Sequence, residues 1–118
     1  DNHVKCGIEI DISSYEKPMR FRLVRPGSNW YTAGRTVECI LEDMRSITFK
    51  IITPENKYYD EVVDISEIPF REGKTTRISV SVNFTDSDKC NITIKNHGFG
   101  EFVKSSGKVI SKELVLRS

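Results

Sequence analysis

The sequence predicts an all-β fold, an antiparallel sandwich of two sheets. Three observations support this prediction. Apolar and polar side chains alternate along most of the chain, as in strands with one face on a core and one face in water. Turn residues recur at the short spacing that is typical of sandwiches and barrels. No segment has the 3.6-residue apolar period of an amphipathic helix.

The size and charge of the chain favour a single domain that neither binds nucleic acid nor inserts into a membrane. Its 118 residues correspond to a single domain, 1–118, which is large enough to bury a core without a metal or a disulfide framework. The 18 basic and 17 acidic side chains nearly cancel, so a net charge of +1 gives no reason to expect a nucleic acid partner. No apolar run is long enough to span a bilayer, and we expect no membrane insertion in this segment. Because the chain starts abruptly at Asp1, we expect a mature or trimmed chain and draw nothing from the missing signal peptide.

The chain begins with two predicted strands, 4–12 and 19–23, which are joined by a turn containing Ser and Pro. Apolar side chains occupy every second position in both strands. In the second strand the outward positions hold Arg20 and Arg22, which give it a basic outer face. The loop that follows, 25–34, is marked by Pro-Gly-Ser-Asn and Ala-Gly and carries the only tryptophan.

Three further strands are predicted at 36–42, 47–51 and 58–65. They are separated by a short Asp-Met-Arg connection and by a Thr-Pro-Glu-Asn turn. The last of them begins with two tyrosines beside an acidic Asp-Glu pair.

The clearest alternation predicts a three-strand antiparallel meander in the second half of the chain. Its first two strands are expected at 78–84 and 90–94. A turn at 96–98 then leads to a third strand around 99–102. A closing strand is expected at 108–117, although Ser-Lys-Glu-Leu within it could also form a helical turn. The chain is therefore expected to hold about nine strands.

Three cysteines, Cys6, Cys39 and Cys90, each fall on the apolar side of a predicted strand. They could be three small buried side chains, or one disulfide across the core with one free thiol. We favour the first interpretation, because no spacing resembles a disulfide scaffold or a metal site and no CxxC occurs.

Two N-glycosylation sequons begin at Asn83 and Asn91, each in an Asn-x-Thr triplet. Both asparagines occupy outward positions of their strands, where a glycan could be accommodated. They predict an extracellular location, either as a secreted protein or as the ectodomain of a membrane protein.

Catalytic constellations are not evident in the sequence. His3 lies near the terminus and His97 in a predicted turn, and neither is near an obvious nucleophile motif. Adjacent carboxylates such as Glu42 and Asp43 point to opposite faces of a strand, which disfavours an acid/base pair. We therefore expect no enzyme, no catalytic residue, no metal and no cofactor.

The strand pattern resembles the galectin fold over nearly the whole chain. The best match is a Pro-Phe pair, a Gly turn, two strands of alternating Ile and Val, and an Asn-His pair followed by Phe. The resemblance implies a galectin-like jelly-roll sandwich. The matching residues are Pro69, Phe70, Gly73, Ile78–Val80, Ile92–Ile94, Asn96, His97 and Phe102, with Gly7–Ile10, Met19–Leu23 and Ile110–Leu116 further away.

The sugar-binding residues of galectins are largely missing here. Galectins bind β-galactosides through HxNPR, an Asn and WGxEER on three successive strands, and the corresponding segments of this chain hold few of these residue types. The resemblance with these departures implies that β-galactoside binding is lost. The residues left as ligand-binding candidates are Arg45, Asn56, Tyr58, Tyr59, Asp60 and Glu61.

Two surfaces could carry binding. An aromatic at Tyr58 or Tyr59 could stack on a sugar, although we favour an ordinary strand with one tyrosine in the core and one directed outward. The second surface is rich in the aromatic and Arg residues that are enriched at protein interfaces. Its tryptophan could instead fold back over the end of the sandwich. The interface candidates are Trp30, Tyr31, Arg20, Arg22 and Arg25.

The function expected from these features is extracellular protein–protein recognition, as in adhesion proteins or receptor ectodomains. One alternative is a divergent lectin that binds a non-standard glycan through the Tyr58 and Tyr59 region. Another is an enzyme accessory domain, or an intracellular galectin-like protein with unused sequons. The expected partner is thus a protein or a glycan.

Overall fold

The structure, a computed structural model, describes residues 2–13, 18–41, 45–69, 76–98 and 107–117. Within them the chain forms two antiparallel four-stranded sheets, with strand orders β2-β1-β4-β5 and β3-β6-β7-β8. The predicted all-β, two-sheet antiparallel sandwich is confirmed. A single 3₁₀ turn, Trp30–Thr32, interrupts the described strands. The strands are β1 (Gly7–Ser13), β2 (Pro18–Val24), β3 (Arg35–Leu41), β4 (Ser46–Ile52), β5 (Tyr58–Asp64), β6 (Thr76–Asp86), β7 (Lys89–Gly98) and β8 (Val109–Val115).

The core lies between the two sheets and is built by the alternation seen in the sequence. In β3, β4 and β6 every second residue is buried, because successive side chains of a strand point to opposite faces. Phe49, at the centre of this layer, is fully buried and pairs with Ile10 across β4 and β1. The largest fully buried side chains are Phe49, Ile8, Ile10, Ile12, Leu41, Ile47, Ile51, Ile65, Ile68, Ile78, Ile92 and Ile94.

Side chains bridge the two sheets along both long sides of the sandwich. On one side Lys112 of β8 donates from Nζ to the carbonyl of Val62 on β5, at 3.0 Å. On the other side Arg35 of β3 donates from Nη1 to the carbonyl of Arg22 on β2, at 2.6 Å. These contacts occupy main-chain oxygens that edge strands otherwise leave unpaired. The two outward sheet faces are therefore the broad exposed surfaces of the described fold.

The turn predicted at 96–98 is wrong, because these residues continue β7. Asn96 is fully buried, and its Oδ1 accepts the main-chain N–H of Gly98 at 2.8 Å. The register shifts opposite them, between Arg77 and Ile78, and Gly98 has a φ of 93°. Residues that are typical of turns thus lie at a point where the pairing register of two strands shifts. The helical alternative for the closing segment is also wrong, since β8 is a strand, and the strand expected around 99–102 lies outside the described residues.

Cys6, Cys39 and Cys90 are all buried and free, so the interpretation as three small core side chains is confirmed. Burial raises the pKa of all three thiols. The Sγ of Cys6 also contacts the carbonyl oxygen of Arg117 at 3.0 Å.

In the part of the chain that is described, no helix is both long and apolar enough to cross a bilayer.

Candidate functional site

A row of alternating charges crosses the outward face of the β2-β1-β4-β5 sheet. Arg22 pairs with Glu9, Glu9 with Lys50, and Lys50 with Asp60, so the row contains one side chain from each strand. The Arg22 guanidinium lies 3.3 Å from the Glu9 carboxylate. We call these four residues the charged row. Opposite charges directly across a strand pair stabilise a sheet, and here they also give its outer face both signs of charge.

A second ion pair extends the charged row along β1 and β2. Arg20 lies 2.8 Å from Asp11 and 3.8 Å from Glu9. The hydrogen bond to Asp11 raises the pKa of Arg20, and the charge of Asp11 adds to this effect. Glu9, whose side chain is only 12% exposed, is therefore held by Arg20 as well as by its partner in the row. Both predicted interface arginines of β2 belong to this network.

The two tyrosines of β5 face opposite ways. Tyr58 is 60% exposed, and the Lys50 ammonium lies 5.5 Å from the centre of its ring. Tyr59 is partly buried against the core, and its Oη accepts the main-chain N–H of Arg117 at 2.9 Å. Burial raises the pKa of Tyr59. Tyr59 therefore connects β5 to the segment after β8, and only Tyr58 is presented on the outer face beside the charged row.

Three of the other ligand-binding candidates do not lie beside Tyr58. Glu61 faces the other sheet, where its carboxylate lies 3.7 Å from the Lys112 ammonium. Asn56 forms the turn between β4 and β5 with a φ of 62°, a conformation that asparagine tolerates well. Arg45 is exposed just before β4, at the opposite end of that strand from Asn56. The six candidates thus do not form one site.

The segments matched to the sugar-binding strands of galectins are also separated. β3 belongs to the second sheet, whereas β4 and β5 are neighbours in the first. The three segments therefore do not lie side by side on one sheet. Among the described residues, Tyr58 and Asp60 are the candidates that share an outward face.

The Trp30 loop covers one end of the sandwich. Trp30 is partly buried against the core, and its main-chain N–H donates to the carbonyl of Asn2 at 2.9 Å. Its ring meets that of Tyr31 edge-on, with 5.6 Å between centroids, and Tyr31 is 62% exposed. Trp30 therefore follows the alternative in which the tryptophan folds back over the end of the sandwich. Arg25 is exposed in the loop, while the two predicted arginines of β2 lie on the sheet face.

Both sequons lie on the outward face of the β3-β6-β7-β8 sheet, the opposite side of the molecule from the charged row. Asn83 and Asn91 pair directly across β6 and β7. Asn83 is exposed and Asn91 is half-buried. Directly opposed side chains in a sheet have Cβ atoms about 5 Å apart, so two glycans attached here would compete for the same space.

We expect folded molecules from a secreting eukaryotic host to carry a single N-glycan, at Asn83, because this asparagine is the more exposed of the pair. Peptide mapping by mass spectrometry measures the occupancy, with Asn83→Gln and Asn91→Gln as matched variants. Asn91→Gln should leave the glycan mass unchanged, whereas Asn83→Gln removes the competing site and should move the single glycan to Asn91. Two glycans on most molecules would contradict crowding between the two sites, and no glycan at all would remove the main support for an extracellular location.

A cavity of about 440 Å³ lies at one end of the second sheet, where the sequence predicts no site. The Nε2 of His97, at its wall, lies 2.9 Å from the Oγ of Ser79. The position of His97 in β7, rather than in the predicted turn, brings it beside β6. The sequence held one indication of this cavity, because Ile40 is an apolar residue at an outward position of β3. The lining residues are Glu38, Cys39, Ile40, Arg77, Ile78 and His97.

Metal binding finds no support in the described residues, where no group of three His, Cys, Asp or Glu side chains is placed to hold an ion.

A family model matches residues 3–116, and its description is Domain of unknown function (DUF8552). No curated protein and no solved structure matches the chain. The geometry of the two outer faces is therefore the main guide to function.

Proposed function

Since the chain belongs to the DUF8552 family, a domain of unknown function, we propose on physical grounds that it is an extracellular protein-recognition module without β-galactoside binding. Its contact surface is the outward face of the β2-β1-β4-β5 sheet. The observation that carries the proposal is the exposed ring of Tyr58, which lies beside a row of charges of both signs.

The chemistry of this face suits a protein partner. Tyrosine and arginine are enriched in the energetic centres of protein interfaces, where a large ring loses little conformational entropy on binding. Tyr58 supplies such a ring, and Arg20 and Arg22 lie on the same face. Alternating charges fix the orientation of a partner, because a shifted partner would place like charges together.

The location of the sequons supports the same surface. Asn83 and Asn91 lie on the other sheet, so a glycan there leaves the face with the charged row uncovered. The two sequons are the support for an extracellular role. Adhesion proteins and receptor ectodomains are the classes in which such a module would serve.

Truncation of the exposed ring tests the proposal. We expect Tyr58→Ala to weaken binding to a partner found on an array of extracellular proteins by at least about tenfold, as for a central interface tyrosine. Tyr31→Ala is the matched control, since Tyr31 is equally exposed at the end of the sandwich. Biolayer interferometry at low and high salt measures both variants. Equal losses for the two variants, or none for Tyr58→Ala, would contradict the proposed surface.

A divergent lectin is the second candidate function, and the same ring favours it. The face of Tyr58 could stack on the C–H surface of a sugar, with Asp60 accepting hydrogen bonds from hydroxyls on the same strand face. Tyr59 is excluded from this role by its inward position. A glycan array separates the two functions: specific glycan binding that Tyr58→Ala abolishes would replace the protein-binding proposal with the lectin.

A further inference from the structure

We propose that the cavity on the β3-β6-β7-β8 sheet binds a ligand with the chemistry of a terminal α-amino acid residue. This ligand has a carboxylate, an adjacent nitrogen that donates a hydrogen bond, and an aliphatic side chain. The site is separate from the face with the charged row and does not depend on the function proposed for that face. The source of the ligand is either a free amino acid or the carboxyl terminus of a peptide.

The cavity has a suitable size and wall. Its volume of about 440 Å³ falls within the roughly 300–1,000 Å³ of small-molecule sites. The side chains of Cys39 and Ile78 face the core, so these residues contribute mainly the floor. Glu38, Ile40 and Arg77 are exposed at the same place and form walls above it. The cavity therefore combines two opposite charges with one apolar group.

The two charges on the cavity wall do not form an ion pair with each other in the described part of the chain. Glu38 pairs with Ser79, and Arg77 pairs with Ile40, so Glu38 and Arg77 are diagonal neighbours on β3 and β6. Diagonal neighbours lie about 7–8 Å apart in the main chain, a distance that long side chains such as those of Glu38 and Arg77 can span. Among the described residues no ion pair within 4.0 Å involves either of them. Both charged groups are therefore available to a small ligand with a carboxylate and a neighbouring N–H group.

Each wall residue suits one part of this ligand. The planar guanidinium of Arg77 can bind a carboxylate through two parallel hydrogen bonds. The Glu38 carboxylate can accept from the ligand nitrogen. Ile40, which is 54% exposed, offers apolar surface to the aliphatic side chain. His97 is oriented by its contact with Ser79 and closes the wall on the β7 side.

Titration of the ¹⁵N-labelled protein with leucine, leucinamide and the tripeptide Gly-Gly-Leu tests this inference by NMR. We expect saturable shifts at Ile40, Arg77 and His97 with leucine or with the tripeptide. Leucinamide, which lacks the carboxylate, should bind at least about tenfold more weakly, the equivalent of one lost charged contact. Tighter binding of the tripeptide identifies a peptide terminus as the source, and tighter binding of leucine identifies a free amino acid.

Two variants make the result specific. Arg77→Gln should weaken binding at least about tenfold, whereas Arg25→Gln, a matched change in an exposed loop, should leave it unchanged. The amide spectra of both variants verify that they remain folded. The inference is overturned if neither carboxylate ligand saturates below roughly 10 mM, if leucinamide binds equally well, or if Arg77→Gln has no effect.

Discussion

Raising the pH from 9 to 12 is expected to lower the free energy of unfolding by several kcal/mol through two buried thiols. Burial raises the pKa of Cys39 to about 11 and that of Cys90 to about 12, from an ordinary value of 9.0. The unfolded chain therefore loses these protons first as the pH rises. The stability that the two protonated thiols contribute is fully present below pH 9. It declines as the pH rises toward the two folded-state pKa values, and each thiol then loses about 1.4 kcal/mol per pH unit.

Denaturant unfolding under reducing conditions, repeated between pH 7 and pH 12, measures this decline. Cys90→Ala and Cys39→Ala are the matched variants, and each should show a flatter dependence of unfolding free energy on pH. Lysines and tyrosines titrate in the same range, so the informative quantity is the difference between the wild type and each variant. Parallel curves for all three proteins would show that the thiols ionise as readily in the folded state as in the unfolded state.

The sheet faces could be predicted well from the sequence because alternation is a local property. The spacing of the inward residues of β6 and β7, such as Val80 and Ile94, assigns them to the core, and both are fully buried. The same spacing assigns the three cysteines to the core. A side chain that follows the period of its strand can be placed without knowledge of its strand partners.

The stretch from Asn96 to Gly98 shows where local patterns fail. Asn, His and Gly together are typical of a turn, yet here they extend β7. The amide of Asn96 accepts the N–H of Gly98 only two residues away, but its complete burial depends on long-range packing of the strand against its neighbours. Composition alone carries no information on that burial.

The candidate sites depend on strand order, which the sequence does not specify. Sequence patterns assign Arg22 and Tyr58 to different surfaces, whereas the order β2-β1-β4-β5 places both on one face. The cavity likewise joins Glu38, Arg77 and His97 through the pairing of β3 with β6 and of β6 with β7. Residues so far apart in the chain cannot be grouped by spacing, since any of several sheet orders satisfies the same alternation.

Replacing Phe49 by Ala is expected to remove about 3–5 kcal/mol from the free energy of unfolding, through lost apolar burial and the cavity that remains. Phe49 is fully buried on β4, an interior strand of the first sheet, beside Ile10. Domains of this size are typically stable by about 5–15 kcal/mol, so this single change should bring the protein close to its unfolding threshold at about 37 °C.

Val62→Ala is the matched control for Phe49→Ala, because Val62 lies on the adjacent strand but is 52% exposed on the outward face. We expect it to change the unfolding free energy by less than about 0.5 kcal/mol. Urea denaturation followed by circular dichroism measures both variants. A loss below about 1 kcal/mol for Phe49→Ala would mean that β4 does not pack against the second sheet as the sandwich requires. A comparable loss for Val62→Ala would mean that the outward face is covered, and the surface proposed for partner binding would then not be free.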